Sequence, residues 1–316
     1  MQSRVNDHST SASLQDNDEL VPINVSRKAS KRWSYTLASW LGLCPLLLFC
    51  LLFEVLPALI VLQGSFQDSD SGAFTLKNYQ RMFSQSGNFH AFQNSIMLSL
   101  VTALIGGVVG SLVAYRVFRL RNHGLRQFIL SFASIAANFA GVPLAFAFIA
   151  TLGVTGFLTV AIKTWLHIDI YNQGFNLYTF FGLVLIYVYF QLPLMVLVTL
   201  PALSSLRPEW REAATNLGAS PLRYWQRVAL PVLLPSLIAG TMLLFANAFG
   251  AYASAYALAQ GNINLVPILI SFVVSGNVSM DTGLGNALAM GMIVILLFAV
   301  FVYTFMLRRV SRWQGR

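Results

Sequence analysis

The chain has 316 residues, of which 56% are hydrophobic and only 10% charged, against about 25% charged in an ordinary soluble domain. The shortage is concentrated: no Asp, Glu, Lys or Arg occurs at 93–115, 127–162, 172–206, 228–280 or 282–307. Such runs exclude a soluble globular fold, because roughly 20 apolar residues already carry a helix across about 30 Å of hydrocarbon. In a soluble protein the formal charge of +9 would suit nucleic acid. Here topology accounts for it, and the expected surroundings are membrane lipid with no nucleic-acid partner.

Residues 1 to about 26 are rich in Ser, Asn and Asp and show no periodicity. The segment 1–35 therefore reads as a disordered cytoplasmic tail, ending in the basic cluster Arg27, Lys28, Lys31 and Arg32. The apolar run after it is too long for a signal peptide, so an uncleaved first span is expected. Six spans are predicted, at about 36–63, 93–116, 126–150, 178–203, 230–258 and 284–307. They belong to one transmembrane domain, 36–312, closed by a short cytoplasmic end at 313–316. The fold class is all-α and polytopic.

Starting inside, seventeen of the 20 Lys and Arg residues fall on the inner side. They are Arg4 and the basic cluster; Arg116, Arg119, Arg121 and Arg126; Arg207, Arg211, Arg223 and Arg227; and Arg308, Arg309, Arg312 and Arg316. Lys77, Arg81 and Lys163 are left for the outer side. Lys and Arg near spans resist translocation, so both termini are expected in the cytoplasm.

Within the spans, Pro57, Pro143, Pro193 and Pro235 read as packing kinks. Gly106, Gly107 and Gly110 read as a surface for close helix approach. The segments 74–83 and 157–166 read as short outer amphipathic elements. Cys44 and Cys50 fit neither a metal site nor a disulfide framework. His8, His90, His123 and His167 are scattered and read as solvated. No G-x-x-x-x-G-K-[ST] loop and no H-E-x-x-H pair occurs, so no cofactor and no catalytic role are expected.

The inner loop at 204–229 is the informative one. Pro208 suits a first helical position and Glu209 the first turn. A short helix through Trp210, Glu212, Ala213, Ala214 and Leu217 should stop at Gly218, where glycine accepts a left-handed conformation at little cost. Ser220 and Pro221 then restart a helix. Ala213 and Ala214 leave one face smooth enough to enter a groove, and ten residues make a peg about 15 Å long. Such a peg can transmit rigid-body motion between partners.

Glu212-Ala213-Ala214, three residues, Gly218, nine residues, and Val228-Ala229-Leu230-Pro231 together resemble the EAA loop of binding-protein-dependent ABC importer permeases. That family has EAA, three residues, G, nine residues and I-x-L-P, and Val228 replaces the usual isoleucine. The resemblance spans about 36–312. The outer segments look like those of the subgroup serving polyamines, ferric iron, thiamine, sulfate or aminophosphonates. It implies a type I importer permease fold in a bacterial inner membrane. It also implies a cytoplasmic pair of ATPases, a second permease subunit of related sequence, and an extracytoplasmic solute-binding protein. By the same resemblance Glu212, Ala213, Ala214, Gly218, Leu230 and Pro231 belong to the ATPase-coupling element, and the solute is polyamine-like.

For the pathway, the fifth span offers Asn247, Tyr252, Ser254 and Tyr256, polar insertions that read either as lining or as polar contacts between helices. Glu54 is an intramembrane carboxylate that reads as a solute contact, a water-reaching group or a subunit contact. Asn94, Asn138 and Gln191 are weaker candidates. The alternative function is an ion-coupled secondary transporter or channel. The missing internal repeat and the scarcity of buried charge weigh against it.

Overall fold

The computed structural model describes residues 43–69, 71–259, 262–275 and 281–314, with side chains as far as Arg309. The expected tail 1–35 and the beginning of the first span lie outside these residues. Regular structure among the described residues is helical, apart from one isolated bridge between Gln67 and Phe74. Among the described residues, six stretches are long and apolar enough to cross a membrane: Leu43–Ser65, Ser86–Phe118, Val142–Leu166, Phe180–Ser204, Pro221–Phe249 and Thr282–Arg309. Helix is the form expected of them, since a chain in hydrocarbon has to satisfy its backbone polar groups internally.

In chain order the helices are α1 (Leu43–Ser65), α2 (Lys77–Ser84), α3 (Ser86–Phe118) and α4 (His123–Asn138). Then come α5 (Val142–Leu152), α6 (Phe157–Leu166), α7 (Phe180–Ser204) and α8 (Pro208–Asn216). The last four are α9 (Pro221–Phe249), α10 (Ala253–Ala259), α11 (Val266–Val274) and α12 (Thr282–Gln314). The segment from Leu43 to Leu56 is helical, and its apolar side chains are exposed along most of its length.

Two of the predicted spans are not continuous. The one expected at 126–150 is divided at 139–141, where Gly141 has φ 77°. Its first part, α4, has 16 residues and so reaches only about 24 Å. Pro143 opens α5 at the first turn and is not a kink inside a helix. The third membrane-length stretch consequently lies at Val142–Leu166 and takes in α6. The fifth span, expected at 230–258, begins earlier at Pro221, ends at Phe249, breaks at 250–252 and resumes as α10. Hydropathy registers the apolar environment, which the chain keeps through both breaks. It carries no information about a φ angle that only glycine adopts freely.

The centre is formed by α3, α7 and α9, with α4 against α7 and α12 against α9. Glycine permits this closeness. A Cβ at Gly110 would lie 2.6 Å from Met195 Cβ, and one at Gly107 would lie 2.7 Å from Thr241 Oγ1. Between the three helices sits Gln191, fully buried, donating to Thr102 Oγ1 at 3.2 Å and reaching the Leu244 carbonyl at 3.5 Å. Its Oε1 is buried without a partner.

At one end α2 packs on α3 and α12. Asp281 organises this end: its carboxylate accepts from Ser69 Oγ at 2.7 Å, pairs with Arg81 at 2.5 Å and caps α12 through the Leu284 amide at 3.0 Å. Partial burial pushes the Asp281 carboxyl upward. The Leu284 amide, the Ser69 hydroxyl and the Arg81 guanidinium outweigh it and hold the group below the ordinary aspartate value.

Candidate functional site

The loop after α7 folds as its sequence dictates. Arg207 is extended at the N-cap, Pro208 occupies the first turn of α8, and Glu209 lies in the same turn. The helix runs to Asn216, and Gly218 takes φ 75°. The Gly218 amide bonds the Thr215 carbonyl and the Ala219 amide bonds the Ala214 carbonyl, each at 2.9 Å. These bonds close the helix end that the glycine makes possible. Ser220 Oγ then accepts from the Arg223 amide at 3.3 Å, and Pro221 opens α9.

The foot of α9 contains a widened π turn at Trp225–Ala229, in which the Leu230 amide reaches back to the Trp225 carbonyl. Pro231 follows after Leu230. Its ring would crowd the carbonyl four residues earlier in a regular helix, and the widened turn removes that clash. Buried Tyr224 and the edge-on contact of Trp225 with Tyr115, centroids 5.0 Å apart, fix this foot to α3.

No residue of α8 is buried. Glu212 is exposed and forms no ion pair among the described residues. Ala213 is exposed, Ala214 half-buried, and Leu217 is 87% exposed. Leu230 and Pro231 are exposed on α9. Between α8 and the foot of α9 runs an apolar groove of about 550 Å³, lined by Trp210, Ala213, Ala214, Leu217, Val228 and Pro231 among others.

A second polar locus lies where the two spans break. Gly141 donates its amide to Ser254 Oγ at 2.9 Å, and Ser254 Oγ lies 3.2 Å from the Gly141 carbonyl. The Tyr187 hydroxyl donates to the Ala251 carbonyl at 2.6 Å. Backbone groups freed by both breaks are thereby satisfied from other helices, as a membrane interior requires. α10 packs against α5.

The pathway candidates therefore occupy different settings. Asn247 is exposed near the end of α9, with no hydrogen bond among the described residues. Tyr252 is half-buried in the break, its hydroxyl 3.0 Å from Ser271 Oγ, and stacks on Tyr256. Ser254 is buried, at 2% exposure. Glu54 is exposed in a π turn at Leu51–Val55. Asn94 donates to the Asn264 carbonyl and Asn138 to the Ser134 carbonyl of its own helix. Gly141, Tyr187 and Ser271 were not legible as site residues. One signal did exist: Gly141-Val142-Pro143 inside an apolar run is a helix-start pattern.

Broken apolar helices, a glycine-packed centre and a protruding helix–turn–helix define a multi-pass helical membrane protein, not a single-pass receptor or a barrel. The family model described as "Binding-protein-dependent transport system inner membrane component" matches residues 106–314, and the chain belongs to this family. It is a multi-pass inner-membrane protein, the permease subunit of a binding-protein-dependent ABC importer, and not a catalytic enzyme.

Among its relatives is the spermidine/putrescine transport system permease protein PotB of Haemophilus influenzae. The two are 27% identical over 260 residues, covering 79% of this chain and 87% of the relative. Another is the probable sulfate transport system permease protein cysT of Nephroselmis olivacea, 29% identical over 229 residues, covering 71% and 75%. A crystal structure of a bacterial ABC transporter involved in the import of the acidic polysaccharide alginate superposes with a TM-score of 0.65. It has 18% identity and covers 89% of this chain and 98% of that one, a likeness of fold. Family membership removes the ion-coupled alternative.

Proposed function

We propose that this subunit forms half of the pathway for a small polar, polyamine-like solute and is driven through α8 by a cytoplasmic pair of ATPases. The observation that carries this is that no residue of α8 from Pro208 to Asn216 is buried, the helix being bounded by Pro208 in its first turn and Gly218 beyond its end. An exposed helix with an apolar groove behind it is a handle: force applied to Glu212, Ala213 and Ala214 passes through Leu230 and Pro231 into α9. α9 leads directly to the break at 250–252 and to the pathway residues Asn247, Tyr252 and Tyr256. Ser254 acts there through Gly141, and Glu54 is a further pathway candidate on α1.

A second permease subunit of related sequence would complete the pathway, and an extracytoplasmic binding protein would deliver the solute. The reading places both termini in the cytoplasm, in keeping with the seventeen inner Lys and Arg residues. For the solute, relatives bear names of spermidine/putrescine and of sulfate systems, and the polyamine class is the one we adopt.

The test is site-directed crosslinking from Glu212→Cys and Ala213→Cys in membranes that are taking up solute. Capture of a nucleotide-hydrolysing chain at both positions is expected. Uptake that proceeds while neither position ever captures such a chain would overturn the coupling role.

A further inference from the structure

The end of the bundle that carries α8 is rich in arginine and poor in acid. Arg116 and Arg119 close α3, Arg121 lies in the turn that follows, and Arg126 stands in the first turn of α4. No Asp or Glu occurs anywhere in 71–168, nor in α7 or α9, which pack against these helices. Glu209 and Glu212 of α8 pair with none of the four arginines, which form no ion pair among the described residues.

Two of the guanidiniums are held by rings. Arg119 lies 5.6 Å from the Tyr115 ring centroid and donates to the Tyr115 hydroxyl at 3.0 Å. Arg126 lies 5.7 Å from the Phe118 centroid. Arg116 is exposed and forms no hydrogen bond among the described residues. Beside it, between α3 and α4, runs a groove of about 520 Å³, lined by Val109, Leu112, Val113, Tyr115, Arg116 and Ile129 among others. Val109, Leu112 and Val113 are exposed. The apolar lining extends about 10 Å along α3 from Arg116 back to Val109.

The preference of arginine for the inner side accounts for the end these residues occupy. It does not account for an apolar groove that ends at a guanidinium without a counter-charge. Such a groove fits a ligand with a charged head and an apolar tail. A free anion would leave the apolar length unused. A partner helix would have to bring a carboxylate of its own to the same depth. A phosphodiester meets a guanidinium with two parallel hydrogen bonds, and a lipid carries it to the depth where a span ends.

We infer that this groove binds an anionic phospholipid from the leaflet on the α8 side, its phosphate on Arg116 and Arg119 and one acyl chain along Val109, Leu112 and Val113. Tyr115 links the site to the moving parts, because the ring that carries Arg119 meets Trp225 edge-on at 5.0 Å. The bound lipid therefore bears on the foot of α9, whichever solute is carried.

The test uses the assembled transporter in phosphatidylcholine nanodiscs containing a trace of phosphatidylglycerol with a diazirine in one acyl chain. After irradiation, labelled residues are located by mass spectrometry, with diazirine phosphatidylcholine as the zwitterionic comparison. Phosphatidylglycerol should label 109–113 well above phosphatidylcholine. Unlabelled phosphatidylglycerol should compete, and inorganic phosphate should not. Arg116→Gln and Arg119→Gln should each lower the labelling about 5-fold. Arg211→Gln removes the same charge from α8 at the same end and should leave the labelling unchanged. Val113→Trp fills the groove, keeps every arginine, and should abolish it.

Equal labelling by the two lipids, or an equal loss in Arg211→Gln and Arg116→Gln, would overturn the site, since diffuse surface charge would then suffice. Competition by inorganic phosphate would overturn it in favour of a plain anion site. Capture of a protein chain by a photoreactive residue placed at Leu112 would give the groove to a protein neighbour and overturn it as well.

Discussion

Ser254 Oγ lies 2.9 Å from the Gly141 amide nitrogen and 3.2 Å from its carbonyl oxygen, so one buried hydroxyl joins the breaks of two different apolar segments. Ser254→Ala would leave the Gly141 amide without this partner, at a cost of about 1–3 kcal/mol for a buried unsatisfied group. α5 and α10 would lose the bond that ties them. We expect a lower melting temperature in detergent and reduced uptake, with normal insertion. Ser254→Thr keeps the hydroxyl and should retain more of both. Unchanged melting and uptake in Ser254→Ala would show the clasp to be dispensable.

Gly218 and Glu212 separate conformation from contact. Gly218 has φ 75° with open space around it, so a side chain there meets no clash but strains the backbone by roughly 1–2 kcal/mol. Gly174, φ 95° and equally open, is the matched control. We expect Gly218→Leu and Glu212→Ala to abolish uptake while membrane levels persist, and Gly174→Ala to leave uptake near normal. Equal uptake in Gly218→Leu and Gly174→Ala would remove the special role of the loop.

What the sequence revealed and what it hid divide along physical lines. The helix–turn–helix after α7 was readable because each feature had a local chemical cause: Pro208 at a first turn, Gly218 at a left-handed stop, Ser220 as a cap. The membrane stretches were readable because lipid excludes charge. The breaks at 139–141 and 250–252 were hidden, since they are set by backbone angles and by partners far away in sequence, Ser254 for Gly141 and Tyr187 for Ala251. Ser254 read either as lining or as a polar contact between helices, and its hydroxyl bonds a backbone 113 residues away. Gly106, Gly107 and Gly110 were legible as a contact face, yet not the residues they meet, Gln191, Thr241 and Met195.

Asp281 gives a pH-dependent prediction. Its folded-state pKa is held below the usual 3.8. The stability it contributes is therefore complete above that value and is lost only as pH falls through the lowered folded value. Asp281→Asn should lose the Arg81 pair, about 0.5 kcal/mol for so exposed a guanidinium. The α12 cap should be largely kept, because an Asn side-chain oxygen still accepts from the Leu284 amide. Thermal melts should show a deficit that is constant from pH 5 to 8 and shrinks below about pH 4. Added salt should reduce the ion-pair part alone. A deficit that grows on acidification would contradict this account of the Asp281 end.

Gln191 leads to a less intuitive expectation. It is fully buried and its Oε1 has no partner, an arrangement that lowers stability. The Thr102 hydroxyl already donates to the Leu98 carbonyl at 2.8 Å, so it keeps a bond when Gln191 is gone. Gln191→Met has nearly the same length, keeps the packing against Gly106 and Leu244, and removes the orphan oxygen. Stability should change by less than about 1 kcal/mol, and in the favourable direction. Gln191→Glu places a carboxylate in the same site and should be strongly destabilising, because a buried unpaired charge has nothing to offset its desolvation. Melting temperatures of the two variants check the energetics, and uptake checks the function. If Gln191→Met melts at or above the wild-type temperature but loses transport, the amide is retained for the motion of α3, α7 and α9 past one another, not for their packing. If it melts well below wild type, the two weak bonds to Thr102 and Leu244 hold the centre together after all.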